Sequence, residues 1–435
     1  MNRRVLIVSP HFPPTHAPDH QRVRTSLPYF AEYGWDPVVL AVAAESTEHP
    51  VDPLQLATIP NHVPVRRVGA LPLQWTRLAG LGNIGYRSWF QLDTAGRKLL
   101  RDGRFDLVYF STTQFVTTTL GARWLQLFGT PFVVDIQDPW RTDYYERPGA
   151  PRPPGGWKYR FARWQAARLE ERAWRDAAGF VSVSPNYLED LRGRYPWFTA
   201  KPAAAIPFGA PEADFAFVRS NATIPCAFAR ESGVVHVVSV GAVGGMMKAA
   251  LELFFSGLAA LRAEVPADAA RLRIHFIGTS HAPASRATSL VESLAIAHGV
   301  GELVQEQPER IGYFNAIKTM LSADALLLVG SDETGYSPSK IGSCSLARRP
   351  TLALVSAGSA AAQRIDALDF AHLASPGNTG SVARVTAFLR DLLCAPERLA
   401  MNGRAQSTLA GQETARACTQ RQCALFDRAL HDSER

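Results

Sequence analysis

The stretch Arg4-Val5-Leu6-Ile7-Val8-Ser9 decides the fold. An unbroken run of apolar, mostly branched residues closed by Ser9-Pro10 reads as a strand buried on both faces, as in a parallel sheet. From Gln21 to Tyr33, Val23, Leu27, Phe30 and Ala31 share one face at helical spacing, and Gly34 ends the helix. Trp35-Asp36-Pro37-Val38-Val39-Leu40-Ala41-Val42 is then the next strand. Strand, helix and strand within about 40 residues make a β-α-β unit.

The same alternation continues outward. Strands read at residues 106–110, 131–135 and 179–184, with helical patterns between most of them. The pattern restarts with Val234 to Gly241, and strands recur at residues 272–278, 325–329 and 350–355. This predicts an α/β chain of two Rossmann-like domains, 1–205 and 206–395, with a helical segment 396–435 packing back on the first. In such sheets ligands bind at the carboxyl ends of the strands, so the expected site is a cleft between the two domains.

Composition narrows the class. With 435 residues, 46% hydrophobic and 20% charged, the chain fits two or three domains and excludes wholesale disorder. No apolar run reaches the roughly 18 residues a membrane helix needs, and the short start before Pro10 does not read as a signal peptide. A cytoplasmic protein is expected. Five cysteines without CxxC spacing suggest neither a disulfide framework nor zinc. The net charge of +7 points to anionic ligands, yet only six residues are Lys, so their positions carry information.

Two of the six lie at turns suited to phosphate. Gly241-Ala242-Val243-Gly244-Gly245-Met246-Met247-Lys248 follows a strand and opens a helix; its glycines permit close backbone approach, and Lys248 adds charge. Ser337-Pro338-Ser339-Lys340 reads as a capped helix start presenting Lys340. Each is equally the pattern of an ordinary turn with a surface Lys. Asp135 and Asp138 end a strand, where they can act as base, hold a hydroxyl, or serve only as caps. The loop from His11 to Arg24 carries His11, His16, His20, Asp19 and Arg22; it reads as sugar- and anion-contacting rather than metal-binding, because no carboxylate or Cys pattern accompanies the histidines. Trp157 to Arg175 and Leu71 to Arg104 interleave aromatic and basic residues. Such helices can rest on an anionic membrane, but aromatics in the core with Arg in solvent is the preferred reading. No nucleic-acid-binding motif is present.

Five segments in order resemble a known family: Val5 to Pro14; Val133 to Trp140 with its two Asp; Leu169-Glu170-Glu171 through Ser184; Ile206-Pro207-Phe208-Gly209; and Ser337-Pro338-Ser339-Lys340-Ile341 through Pro350. The chain resembles the GT-B glycosyltransferases, in particular the retaining family 4-type enzymes, over about residues 4–395. The resemblance implies transfer of a sugar from a nucleotide-sugar, which is a co-substrate and not a cofactor, without a metal. It implies donor contacts from Gly241, Gly244, Gly245, Lys248, Glu333, Pro338, Ser339, Lys340, Ile341 and Ser343. His11, Asp19 and Asp138 are the candidate catalytic residues, and Arg22, Asp135 and Trp140 the candidate acceptor contacts. The acceptor is expected to be a sugar or lipid-linked molecule of polysaccharide or glycolipid assembly, with peripheral contact to an anionic membrane. The chain departs from the family pattern at Phe208, where Asn is usual, and at Gly335 and Ser343, where Glu is usual. Those losses motivate two alternatives: an inactive scaffold in an assembly complex and, more weakly, a nucleotide-sugar epimerase.

Overall fold

A computed structural model describes residues 2–77, 80–141, 156–280, 290–331, 340–399 and 413–433. They form two compact units: residues 1–209 with 415–435, and residues 210–414. The division falls at Gly209–Ala210 rather than at 205/206. The final segment also divides differently from the expected 396–435: the turn Pro396–Leu399 stays with the second unit, while the helix Ala415–Ser433 joins the first.

The first unit is built on a seven-stranded sheet, all neighbours parallel. Its strands are β1 (Arg3–Val8), β2 (Trp35–Val42), β3 (Val65–Val68), β4 (Leu107–Ser111), β5 (Phe132–Ile136), β6 (Gly179–Ser182) and β7 (Ala203–Ala205), in the order β3-β2-β1-β4-β5-β6-β7. Apolar side chains alternate between two cores. Leu6, Val8, Val108, Phe110 and Val134 face one, with Trp124 and Trp174; Val5, Ile7, Tyr109 and Val133 face the other. The second core is closed by the helix Ala415–Ser433, whose Phe426 packs on Phe30, Trp35 and Tyr109. Double-sided burial is why these strands read as continuous apolar runs.

The second unit repeats the plan with six parallel strands: β8 (Val235–Val240), β9 (Leu272–Ile277), β10 (Val304–Gln307), β11 (Ala325–Val329), β12 (Thr351–Leu354) and β13 (His372–Ala374), in the order β10-β9-β8-β11-β12-β13. The helix Lys248–Glu264 lays Leu251, Phe254, Phe255 and Leu258 on one face of this sheet.

Strand order reverses at β1/β4 in the first sheet and at β8/β11 in the second. Diverging crossovers leave a crevice at such a point, beyond the carboxyl ends of the strands. The loops singled out above after β1 and after β8 open at these two places.

Two helices differ from expectation. The helix from Gln21 ends at Ser26, and a separate turn Phe30–Tyr33 follows; Pro28, which lacks an N–H, interrupts the ladder between them. The helix after Lys340 covers only Ile341–Ala347, with Lys340 itself as N-cap. Ser337, Pro338 and Ser339 lie outside the described residues, as do Glu333 and Gly335.

Candidate functional site

In the first unit, the ends of β1, β4 and β5 assemble a buried polar cluster. His11, just past β1, approaches the Asp19 carboxylate through Nδ1 at 3.0 Å. Asp19 also accepts from the Thr112 hydroxyl at 3.2 Å and from the Thr113 hydroxyl at 3.2 Å. Burial by itself would raise the Asp19 carboxyl; the His11 hydrogen bond, the charges of His11 and His20 and the Thr113 amide outweigh it and hold the group below its ordinary range. Asp19 is thus an ionised orienting group: it fixes the His11 ring and leaves Nε2 as the nitrogen for a ligand. Burial pushes His20 down to about 3, and its Nε2 lies 3.0 Å from the Thr15 carbonyl oxygen. Among the described residues, no three His, Cys, Asp or Glu side chains converge as a metal site would require.

Arg22 and Asp135, expected to touch the acceptor, are instead buried and paired with each other. Arg22 Nε pairs with Asp135 Oδ2 at 2.9 Å, and both side chains are buried. Arg22 Nη2 donates to the Ile206 carbonyl at 2.7 Å, and its guanidinium lies 5.1 Å from the Phe208 ring centroid. Ser111 and Gln137 donate to Asp135 Oδ2 at 2.7 and 3.0 Å. This is a structural core: it ties the segment 206–208 to the sheet, and Phe208 replaces the expected Asn by lying against a cation.

Asp138 lies beyond β5 and is exposed as a residue. Protein atoms crowding its carboxyl, and then the charge of Asp19, raise it above the ordinary carboxylate range. A carboxylate raised in this way is the better proton acceptor. Trp140 stacks on Phe115, centroids 5.6 Å apart, and lines a cavity of about 490 Å³ that opens beside Thr113.

In the second unit Gly241, just after β8, meets Lys340. Gly241 has φ +102°, a conformation that requires glycine, and a Cβ there would lie 2.7 Å from Lys340 Nζ. The Lys340 ammonium therefore rests against the bare Gly241 backbone. Burial pushes its pKa down to about 8, with only the Cys344 thiol acting in the opposite sense. Among the described residues no carboxylate partners it. Gly278, at φ +73°, ends β9 beside Gly241 and close to Arg310. Sequence reasoning missed it, although Ile277-Gly278 repeats the strand-then-glycine signal of Val240-Gly241.

The other expected donor contacts are less convergent. Gly244 and Gly245 are exposed, with nothing near a Cβ at either position, so no packing demands glycine there. Lys248 is exposed and pairs with Glu252 at 3.5 Å. Ile341 is buried, Ser343 is half-buried, and the seven-residue helix they begin is too short to contribute much dipole.

The aromatic-basic segments also depart from expectation. Trp174 is core, and Trp89 is half-buried with its indole N–H on Thr119. Trp75, Phe90, Phe161 and Trp164 are exposed. No helix among the described residues is long and apolar enough to cross a membrane.

Comparison with known proteins matches a domain and the fold. The profile of the "Glycosyl transferase 4-like domain" matches residues 20–209. No curated protein sequence matches the chain. Among solved structures it is similar to a glycosyltransferase from Rickettsia africae, with TM-score 0.58, 11% identity and 99% of each chain covered. It is similar to HepE of Anabaena in complex with UDP, with TM-score 0.54, 14% identity, and 98% of this chain and 99% of that one covered. It is also similar to a UDP-forming trehalose-phosphate synthase from Burkholderia xenovorans in complex with glucose-6-phosphate, with TM-score 0.60, 12% identity, and 98% and 99% covered. Residues 20–209 thus match a glycosyl transferase 4-like domain, and the chain shares over nearly its whole length the two-unit fold of these glycosyltransferase structures.

Proposed function

We propose that the chain transfers a sugar from a nucleotide-sugar to an acceptor hydroxyl, holding the diphosphate in the second unit at Gly241 and Lys340 and meeting the acceptor in the first unit at His11 and Asp138. The observation that carries this reading is the half-buried Lys340 side chain, with its ammonium against the bare Gly241 backbone. Among the described residues no carboxylate partners it; desolvating a cation is costly, and an anion arriving there recovers that cost. The donor-side neighbours are consistent with a uridine nucleotide: one holds UDP and another is UDP-forming.

The bond from the sugar's anomeric carbon to the diphosphate oxygen breaks, and Lys340 stabilises the charge that develops there. The acceptor oxygen bonds to the anomeric carbon, and its proton passes to Asp138, whose raised pKa suits it to receive one. His11 Nε2 binds the acceptor, and Asp19 positions His11 without touching substrate. Retention of configuration is carried over from the family resemblance. Metal independence follows from Lys340 supplying the positive charge. The acceptor belongs to polysaccharide or glycolipid assembly, and the protein works on the cytoplasmic side, in peripheral contact with the membrane.

Thermal unfolding against a panel of nucleoside diphosphates tests this reading. A ligand at a hundredfold excess over its Kd adds about 2.7 kcal/mol to apparent stability. One nucleotide is expected to raise Tm in the wild type and not in Lys340→Ala. If no nucleotide shifts a well-folded sample, the reading falls, and the inactive scaffold suggested by Ser343 replaces it.

A further inference from the structure

The cavity beside Thr113 has features that nucleotide-sugar chemistry does not require. Its volume is about 490 Å³, enough for a drug-sized ligand, and its walls include Tyr86, Phe115, Trp140 and Phe161. Arg77 and Arg141 stand among these rings. Arg141 is held in place: its Nη1 donates to the Tyr195 hydroxyl at 3.2 Å, and that hydroxyl donates to Glu170 at 2.9 Å. Glu170 is buried and also accepts from Arg194 at 2.7 Å. A guanidinium fixed in advance loses little freedom on binding an anion, and its planar fork matches phosphate.

The apolar wall continues out of the cavity. Phe161 stacks on Trp164 with centroids 5.9 Å apart, and the two are 42% and 51% exposed. Arg168 covers the Trp164 ring at 4.7 Å. An exposed stacked pair leading from an aromatic cavity is a track for an apolar chain.

We propose that this cavity binds the acceptor as a phosphorylated amphiphile, with the phosphate on Arg141 and the apolar chain along Phe115, Trp140 and Phe161 towards Trp164. The proposal rests on the glycosyl-transfer reading, and it names the chemical class of the acceptor. Thr113 joins the two places: it lines the cavity and donates to Asp19, the residue that orients His11.

The test is a binding titration without nucleotide or turnover, followed by tryptophan fluorescence. The probes are decyl phosphate below its micellar concentration, inorganic phosphate and decyl maltoside. Decyl phosphate is expected to saturate, with the other two at least tenfold weaker. Arg141→Gln and, separately, the surface change Phe161→Ser should each weaken decyl phosphate about tenfold, while the circular dichroism of both variants stays that of the wild type. Equal binding of inorganic phosphate would reduce the cavity to an anion site, and equal binding of decyl maltoside would reduce it to a greasy surface. Either result overturns the proposal, as does unchanged affinity in Arg141→Gln. Since no nucleotide is present, failure here leaves the donor reading standing, and failure of every nucleoside diphosphate to bind leaves this result standing.

Discussion

Raising the pH from 7 to 9 should loosen nucleoside diphosphate binding through Lys340 alone. Its amine is pushed down to about 8 by burial against the Gly241 turn. The unliganded site is therefore mostly charged at pH 7 and only about one-tenth charged at pH 9, whereas a bound diphosphate favours the charged form. Binding at pH 9 must then draw a proton from solvent, and the Kd rises about tenfold, close to 1.4 kcal/mol. Calorimetry in two buffers of different ionisation enthalpy reads both quantities. It should return close to one proton taken up at pH 9 and almost none at pH 7. Lys340→Arg, which stays charged throughout, should bind without the pH dependence. A constant Kd with no proton uptake in the wild type would refute the placement of Lys340 at the diphosphate. Without ligand the sign is separate. The folded amine is lowered, so between about 8 and 10.5 the unfolded chain holds more protons, and stability rises with pH across that window.

Further predictions follow from packing and charge. Gly241→Ala puts a methyl group against the Lys340 amine at a φ that disfavours any side chain; it should weaken diphosphate binding at least tenfold and lower stability by about 1–2 kcal/mol, read by titration and urea unfolding. Burial lowers His275 to about 4, with its Nε2 3.0 Å from His236 Nδ1 on the neighbouring strand. The unfolded chain therefore takes up the extra proton as pH falls below about 6.5, and stability should drop between pH 6.5 and 4, less steeply in His275→Gln. Arg22→Ala leaves Asp135 charged and buried without its cation and should cost about 3–5 kcal/mol in denaturant unfolding. Gly96→Ala, normally stabilising in a helix, should instead destabilise by about 1–3 kcal/mol, because its Cβ would lie 2.2 Å from the Trp124 ring; a rise in Tm would contradict that packing.

The strands absent from the sequence reading are β3, β7, β10 and β13, and all four are sheet edges. Central strands are buried on both faces and announce themselves as apolar runs. An edge strand has a neighbour on one side only, and Val65-Arg66-Arg67-Val68 or Val304-Gln305-Glu306-Gln307 can carry charged and polar residues that break the apolar run. Ala203–Ala205 lacks any side chain large enough to signal burial. The candidate site was legible where backbone chemistry set it: Gly241 stood out as a glycine after a strand and Lys340 as a rare cation, and the structure places the two together. Arg22 and Asp135 were legible as charged residues near a strand end, but not as partners, because their pairing depends on the turn of backbone that brings residue 206 beside residue 22. Arg141 escaped notice for the same reason, since its supports lie at Tyr195 and Glu170.

The closing of the first unit's core by the helix Ala415–Ser433 has a consequence for synthesis. Phe30, Trp35 and Tyr109 leave the ribosome early, but the Phe426 ring that covers them comes after the whole second unit. At about 5–20 residues per second the half-finished sheet waits roughly 10–40 s with an apolar face open to solvent. The second unit has no such delay. It is one continuous stretch whose ends meet, the Ala210 amide donating to the Glu413 carbonyl at 2.7 Å, so it can complete itself before the unit that began first. The nascent chain is therefore expected to mature out of order, with chaperone dependence concentrated on its first half.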